Sequence, residues 1–283
     1  MEKITDWTLL WKELVERQGP FWNRKKRSKD NQDKWKERSK IFYERVKARW
    51  SRPDPHRDFI ASMVSSCRNA TVLDIGAGTG AWAVLLSRYA SKVTAIEPSA
   101  EMRALLLENL DRECVRNVEV LDCFWPVDSI KPHDFTLASH SLYGCEDIRG
   151  FINAMNRSTK ERCLMLLRAP DHDGVMAMAA ERIWGEPYDS PNFQVAYNAM
   201  LQMGLFPNVL MEEKGMWPTW TDNSFDDALD RIRVRFGLEK GSEHEQYLTD
   251  LLKKHLIEKD GKVYWPPSMR TGLLYWNVKE RDN

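Results

Sequence analysis

The sequence predicts an α/β fold built on a doubly wound, mostly parallel sheet, and three observations carry that expectation. Short apolar runs alternate with amphipathic segments from residue 71 onward, the runs are apolar along their whole length, and a glycine-rich turn follows the first of them. A strand that is apolar on both faces needs a helical layer on each side, which is the arrangement of a parallel sheet. With 283 residues the chain can form one large domain with insertions.

The elements follow in order. A first helix places Trp7, Leu10, Trp11 and Leu14 on one face behind Asp6 as its cap. A second stripes Trp35, Phe42, Tyr43, Val46 and Trp50 among many charges. Pro53 and Pro55 then punctuate the chain before a third helix carrying Phe59, Ile60, Met63 and Val64. Residues 1–67 are expected to form a helical lid or cap, and 68–216 the core. In the core, strands at 71–75, 92–97, 117–121, 134–139 and 163–167 alternate with helices lined by Trp82, Leu85 and Leu86, by Met102, Leu106 and Leu110, and by Phe151, Ile152 and Met155. Beyond residue 170 the pattern is looser, with a helix near 192–203 and strands at 208–212 and 271–278. Residues 217–270 read as an insertion. It holds a helix begun by Ser224 with Asp227, a helix lined by Tyr247, Leu248, Leu251 and Leu252, and a hairpin turning on Asp260-Gly261. Residues 271–283 return the chain to the sheet and its C-terminus.

Composition excludes several classes. Basic and acidic residues number 42 each, so no global positive charge argues for nucleic acid. Residues 1–55 hold 16 Lys/Arg against 9 Asp/Glu, peaking at Asn23-Arg24-Lys25-Lys26-Arg27-Ser28-Lys29. Basic residues among aromatics can grip RNA, but the patch is local and no RNA-binding module accompanies it, so a solvated helix end is the preferred reading and a nucleic-acid partner is not expected. No apolar run has the roughly 18 residues of a membrane helix, and the N-terminal stretch is not expected to be a secretory signal. Five cysteines form no C-x-x-C pair, so no metal site is expected and a reducing, cytoplasmic setting fits best. Asp171-His172-Asp173-Gly174 reads as a turn and Cys145 as a packed thiol. Oligomeric state is not legible.

The chemistry concentrates in Asp74-Ile75-Gly76-Ala77-Gly78-Thr79-Gly80, which leaves a strand and opens a helix. Glycines there let the chain turn sharply and let a ligand lie against main chain with no Cβ between. Glu97 ends the next strand, 21 residues after Gly76, where a carboxylate can take both ribose hydroxyls of an adenosine-bearing ligand. Gly76-x-Gly78-x-x-Ala81 also satisfies the dinucleotide fingerprint. Against that reading, Asp74 would face a pyrophosphate, the third glycine falls at 80, and some 70 residues precede the first strand. An acid at that point suits a ligand bearing ammonium and sulfonium charges.

VLDIGAGTG followed by VTAIEPS resembles motifs I and II of the class I S-adenosylmethionine-dependent methyltransferases over about residues 68–170, in the manner of uncharacterised prokaryotic members. The resemblance implies a Rossmann-like seven-stranded sheet ordered 3-2-1-4-5-7-6 with the last strand antiparallel. It implies S-adenosylmethionine as cofactor, S-adenosylhomocysteine as product, and an enzyme. Asp74, Gly76, Ala77, Gly78 and Gly80 then match the methionine-binding loop, and Glu97 the ribose acid. Pro98 and Met102 match residues flanking adenine, Asp122 and Cys123 those reading its edge, and Ser139-His140-Ser141-Leu142-Tyr143 the motif beside the transferable methyl. An aromatic N-terminal helix often covers the cofactor in this family, which nominates Trp35 and Tyr43.

His140 and Tyr143 are the candidate catalytic residues, His140 to take a proton and Tyr143 to orient or stack on the acceptor. SHSLY is unlike the (D/N)PPY of amino-methyltransferases of bases, and no Pro-Cys nucleophile for cytosine occurs. Twelve tryptophans suggest an aromatic enclosure, so the expected activity is methyl transfer to a small molecule by in-line displacement. RNA or protein methylation and a non-catalytic cofactor-binding role are the alternatives.

Overall fold

The computed structural model describes residues 5–18, 39–267 and 269–278. In chain order its elements are α1 (Trp7–Arg17), α2 (Ser39–Trp50), α3 (Pro55–Ser65), β1 (Thr71–Ile75), α4 (Ala81–Leu86), β2 (Lys92–Ile96), α5 (Ala100–Arg112), β3 (Val118–Leu121), β4 (His133–Ser139) and α6 (Ile148–Arg157). There follow β5 (Thr159–Pro170), α7 (Val175–Trp184), α8 (Phe193–Gln202), β6 (Asn208–Met211), β7 (Thr221–Asp222), α9 (Phe225–Phe236), α10 (Glu245–His255), β8 (Ile257–Lys259), β9 (Lys262–Tyr264) and β10 (Met269–Asn277). Trp35 and the basic stretch at 24–29 lie outside the described residues.

Seven strands form one sheet in the order β3-β2-β1-β4-β5-β10-β6. Strand β10 is antiparallel to both neighbours, with Gly272 opposite Leu167 on one side and Met211 on the other. The pairs β1–β2, β1–β4, β2–β3 and β4–β5 are parallel. This is the expected Rossmann-like order with one reversed strand. Buried side chains fill both faces, as the apolar strands require. Leu73, Ile75, Met165 and Leu167 pack with α1, α6 and α8 on one face, and Val72, Val93, Leu164 and Leu166 with α3, α4 and α5 on the other.

Local capping matches the sequence reading. Asp6 accepts the amides of Thr8 and Leu9 to start α1, and Ser224 accepts that of Asp227 to start α9. Asp260 and Gly261 both adopt positive φ, 52° and 69°, and join β8 to β9. The short strand β7 adds to β9, giving a second sheet that the sequence did not suggest.

Helix α1 packs firmly on a sheet face: Trp11, Leu14 and Val15 are fully buried, and the Trp7 amide and Asp6 are both tied to Gln202 of α8. Helix α3 likewise belongs to a sheet face, through Ile60, Met63 and Val64. Of the described N-terminal helices, α2 lies over the glycine turn, and α1 with its C-cap Gln18 reaches the loop after β4, where Trp11 donates to Cys145 O and Gln18 to Tyr143 O. Helix α7, absent from the sequence reading, packs its Val175, Ala179 and Ala180 against α9, α10 and β9 in a third core. The insertion thus rests on a helix that precedes it.

Candidate functional site

Strands β1, β2, β4 and β5 run parallel, so the loops that follow them meet at one edge of the sheet, where open α/β folds place their ligands. The turn after β1 has Gly76, Gly78 and Gly80 at φ of 70°, 57° and 82°, a region that favours glycine. The amides of Gly76 and Ala77 both reach Ile96 O, at 2.8 and 2.9 Å, which ties the turn to β2. A Cβ on Gly76 would stand 2.5 Å from the Ser141 Cβ, and one on Gly80 2.8 Å from the Leu106 Cγ. At Gly78 the nearest atom is Phe42 Cε1 of α2, at 3.9 Å. The turn is therefore packed tight at both ends and open at its middle.

Asp74 is buried at the end of β1, and its Oδ2 meets no hydrogen-bond partner. Burial first, and the neighbouring Glu97 carboxylate second, raise its carboxyl to about 7 against a weaker opposing bond from the Ala83 amide. The Ser141 Oγ, pressed on Gly76, is also buried without a partner. Glu97 is buried at the end of β2. Its Oε2 accepts the Gly78 amide at 2.8 Å and its Oε1 the Ser99 amide at 2.9 Å.

Pro98 and the buried Met102 stand beside Glu97 at the start of α5. Asp122 and Cys123 follow β3. The Asp122 carboxylate is turned outward onto Arg103 at 2.7 Å, while the other arm of Arg103 donates to Glu97 O. Partial burial, with Asp122 adding to it, raises the Cys123 thiol. Ser139 ends β4 and accepts the Trp82 indole N–H at 3.0 Å.

His140 has a positive φ of 54°, its amide bonded to Leu166 O. Its Nδ1 lies 2.8 Å from the Tyr143 Oη, and that oxygen accepts the Arg168 amide at 2.7 Å. With its pKa held far below the ordinary value the imidazole is neutral, and in the tautomer protonated on Nε2 its Nδ1 accepts from the Tyr143 hydroxyl. Burial, followed by the charges of Arg168, His56 and Arg49, holds the His140 pKa at about 3. The expected part of His140 as a proton acceptor meets a buried ring whose Nδ1 is engaged with Tyr143. Tyr143 is buried, which raises its phenol and keeps it protonated.

On α2 the sequence nominated Tyr43, but the ring over the glycine turn is that of Phe42. Tyr43 instead donates to Asn109 Oδ1 of α5 at 3.1 Å and accepts from Arg112. Asn109 in turn donates to Thr79 O at 2.8 Å, so Tyr43 steadies the turn from behind.

Sequence reasoning missed a buried cluster at the same edge. The Arg49 Nη2 bridges Asp54 at 2.6 Å and Glu212 at 2.5 Å. The Glu212 Oε1 accepts the Thr271 amide at 2.6 Å while the Glu212 amide donates to Thr271 O. Asp54, His56 and Glu212 bring ligand-type atoms within 4.8 Å of one another, but the Arg49 guanidinium already supplies the positive charge between the two carboxylates. Trp217 lies edge-on to His140 at 5.4 Å, within 5.9 Å of Arg49, and donates to Thr271 Oγ1. Arg45 covers the Trp220 ring at 3.9 Å and donates to Pro218 O, which fastens α2 to the start of the insertion. These side chains come from positions 49, 140 and 217, and no local pattern links them. Cys145 and the 171–174 turn stay apart from them: the Cys145 carbonyl accepts the Trp11 indole, and Asp171 pairs with Lys214 and Arg270.

Among the described residues no helix is long and apolar enough to cross a membrane. No curated protein matches the sequence. The chain resembles the YcgJ protein of Bacillus subtilis at 16% identity and a TM-score of 0.51, over 80% of this chain and 98% of that one. It resembles a putative methyltransferase of Bacillus halodurans at 15% identity and 0.50, over 77% and 96%. Both likenesses are of fold. The methyltransferase-domain family itself matches residues 14–198, which is more than half of the sequence and contains the glycine turn, Glu97 and His140. With that match, and a sheet of the order its motifs implied, the chain belongs to the class I S-adenosylmethionine-dependent methyltransferases.

Proposed function

We propose that this enzyme transfers the methyl group of S-adenosylmethionine to a small-molecule acceptor. The observation that carries the reading is the pair of buried, unpartnered oxygens, Asp74 Oδ2 and Ser141 Oγ, beside a glycine turn left open at Gly78. Buried polar atoms without partners are costly, and a ligand ammonium placed there satisfies both. The donor set fits the cofactor.

In this reading Asp74 receives the ammonium of the methionine moiety, and Gly76, Ala77, Gly78 and Gly80 let its carboxylate lie along the backbone. Glu97, buried at the end of β2 beside the turn, accepts the ribose hydroxyls. Pro98 and Met102 form the wall for the adenine, with Asp122 and Cys123 at its edge. When bound, the cofactor supplies a methyl already activated on sulfur, so the protein needs chiefly to hold an acceptor in line. His140 contributes a hydrogen bond from Nε2, and Tyr143 fixes that tautomer. Phe42, Trp217 and Trp220 enclose the acceptor side as a lid made of α2 and the insertion.

Calorimetric titration with S-adenosylhomocysteine tests the cofactor assignment, and release of labelled methyl across a panel of small metabolites tests turnover. Saturable binding and transfer to a small molecule are expected. An absence of binding, or transfer only to RNA or protein, overturns the reading.

A further inference from the structure

Beside His140 the structure holds a cation with no acid of its own. The Arg168 guanidinium lies on the Tyr143 ring at 4.4 Å, and its Nη2 donates to Ser190 Oγ at 3.2 Å. Its Nε is buried and has no hydrogen-bond partner. The nearby acid is Asp189, and Arg235 holds that carboxylate with Nε at 3.1 Å and Nη2 at 2.8 Å. Ser190 Oγ also donates to Asp189, at 3.1 Å. Two guanidinium groups thus share one carboxylate, which leaves one positive charge. Among the described residues no acid comes within ion-pairing distance of Arg168.

The other neighbours reinforce this charge. In the tautomer whose Nδ1 accepts from Tyr143, His140 presents Nε2–H as a donor, and no described residue accepts from it. The charges acting on the His140 ring come from Arg168, His56 and Arg49, all of which disfavour a further positive charge there. Arg49 is offset by Asp54 and Glu212, so the uncompensated charge is that of Arg168. Trp217 adds an apolar ring beside them: it lies edge-on to His140, its indole is anchored to Thr271, and Thr271 pairs with Arg168 across β10 and β5. A partly buried guanidinium with a free Nε, beside a second N–H donor, offers the geometry that a planar oxyanion takes from arginine.

We propose that the methyl acceptor is a small carboxylic acid, its carboxylate seated on Arg168 beside His140 Nε2–H and its apolar body against Trp217. This rests on the methyltransferase reading and extends it to the class of substrate. A single residual positive charge matches a carboxylate monoanion better than a phosphate dianion. Arg168 is the residue that selects the class.

The test uses four probes of one shape: benzoate, benzamide, benzylamine and phenyl phosphate. Each is titrated calorimetrically into the protein, with and without saturating S-adenosylhomocysteine. Benzoate is expected to bind about tenfold or more tighter than benzamide, and benzylamine not at all. Arg168→Gln is expected to erase the preference for benzoate and to leave the affinity for S-adenosylhomocysteine within about twofold, with Arg168→Lys recovering part of it. A melting curve shows whether each variant is folded, and the lysine variant serves if the glutamine one is not. Equal binding of benzamide, absence of benzoate binding, tighter binding of phenyl phosphate, or a preference that survives Arg168→Gln each overturns the proposal. Failure of S-adenosylhomocysteine to bind is a separate result: it removes the cofactor assignment, while the probe titration of the unliganded protein still judges the carboxylate seat.

Discussion

Asp74 and Glu97 end adjacent parallel strands, and the Glu97 carboxylate makes the buried Asp74 carboxyl harder to ionise, which leaves it titrating at about 7. A ligand ammonium is held by the ionised form. Affinity for S-adenosylhomocysteine is therefore expected to rise about tenfold between pH 6 and pH 8, with proton release on binding. The stability of the unliganded protein runs the other way. Between the ordinary aspartate value of 3.8 and about 7 the folded state keeps a proton that the unfolded chain has lost, so this group's contribution falls as pH rises through that window. Calorimetry in buffers of different ionisation heat measures the protons released. A flat affinity profile removes Asp74 from the ammonium site.

The Gly78→Val variant separates binding from folding. A Cβ at 78 meets only Phe42 at ordinary contact distance, so the fold bears chiefly the positive-φ strain, of order 1–3 kcal/mol. Gly76→Val collides with Ser141 and is expected to destabilise the protein more. Cofactor binding should be lost in both, with a modest drop in Tm in the first alone. Retained binding in Gly78→Val disproves the loop assignment.

Tyr143→Phe strips the Arg168 amide of its acceptor and the His140 Nδ1 of its donor inside the protein. A loss of about 1–3 kcal/mol is expected in urea unfolding, together with slower turnover at undiminished cofactor affinity. Because the His140 pKa is held at about 3, the rate at saturating cofactor should show no step near the ordinary histidine value. A step there that vanishes in His140→Ala contradicts the neutral imidazole.

Arg49→Met leaves Asp54 and Glu212 buried and facing each other, and is expected to cost about 3–5 kcal/mol. Adding Asp54→Asn and Glu212→Gln should restore part of that loss, since the stranded charges are then gone. A single variant as stable as the parent shows that the cluster is solvated.

The parallel strands and the glycine turn were legible because each is written in contiguous residues: an apolar run, three glycines, an acid at the end of the next run. The strand order came from the family resemblance that those motifs carry. The acceptor side was not legible. Tyr143, Arg168 and Trp217 come together only through the pairing of β4, β5 and β10 and the return of the insertion. Phe42 and Tyr43 are neighbours on one helix, and periodicity alone does not say which ring covers Gly78. Helix α7 was missed because its buried face is largely alanine, which makes a faint stripe, and because its partners are α9 and α10 rather than the sheet. His140 was legible as a position, but its protonation is set by burial first and then by neighbours from distant parts of the chain, which no local pattern displays.

The mutual bonds of Glu212 and Thr271 close the loop between β6 and β10 near its base, so residues 213–267 leave the sheet and return to it at neighbouring points. Such a bight of chain can be swapped for another of different length without disturbing strand register, because its mouth is already stitched shut. Trp217 travels with it and Asp74, Glu97 and the glycine turn do not, so on the proposed reading descent or engineering can retune what is methylated while the methyl donor's berth is inherited intact.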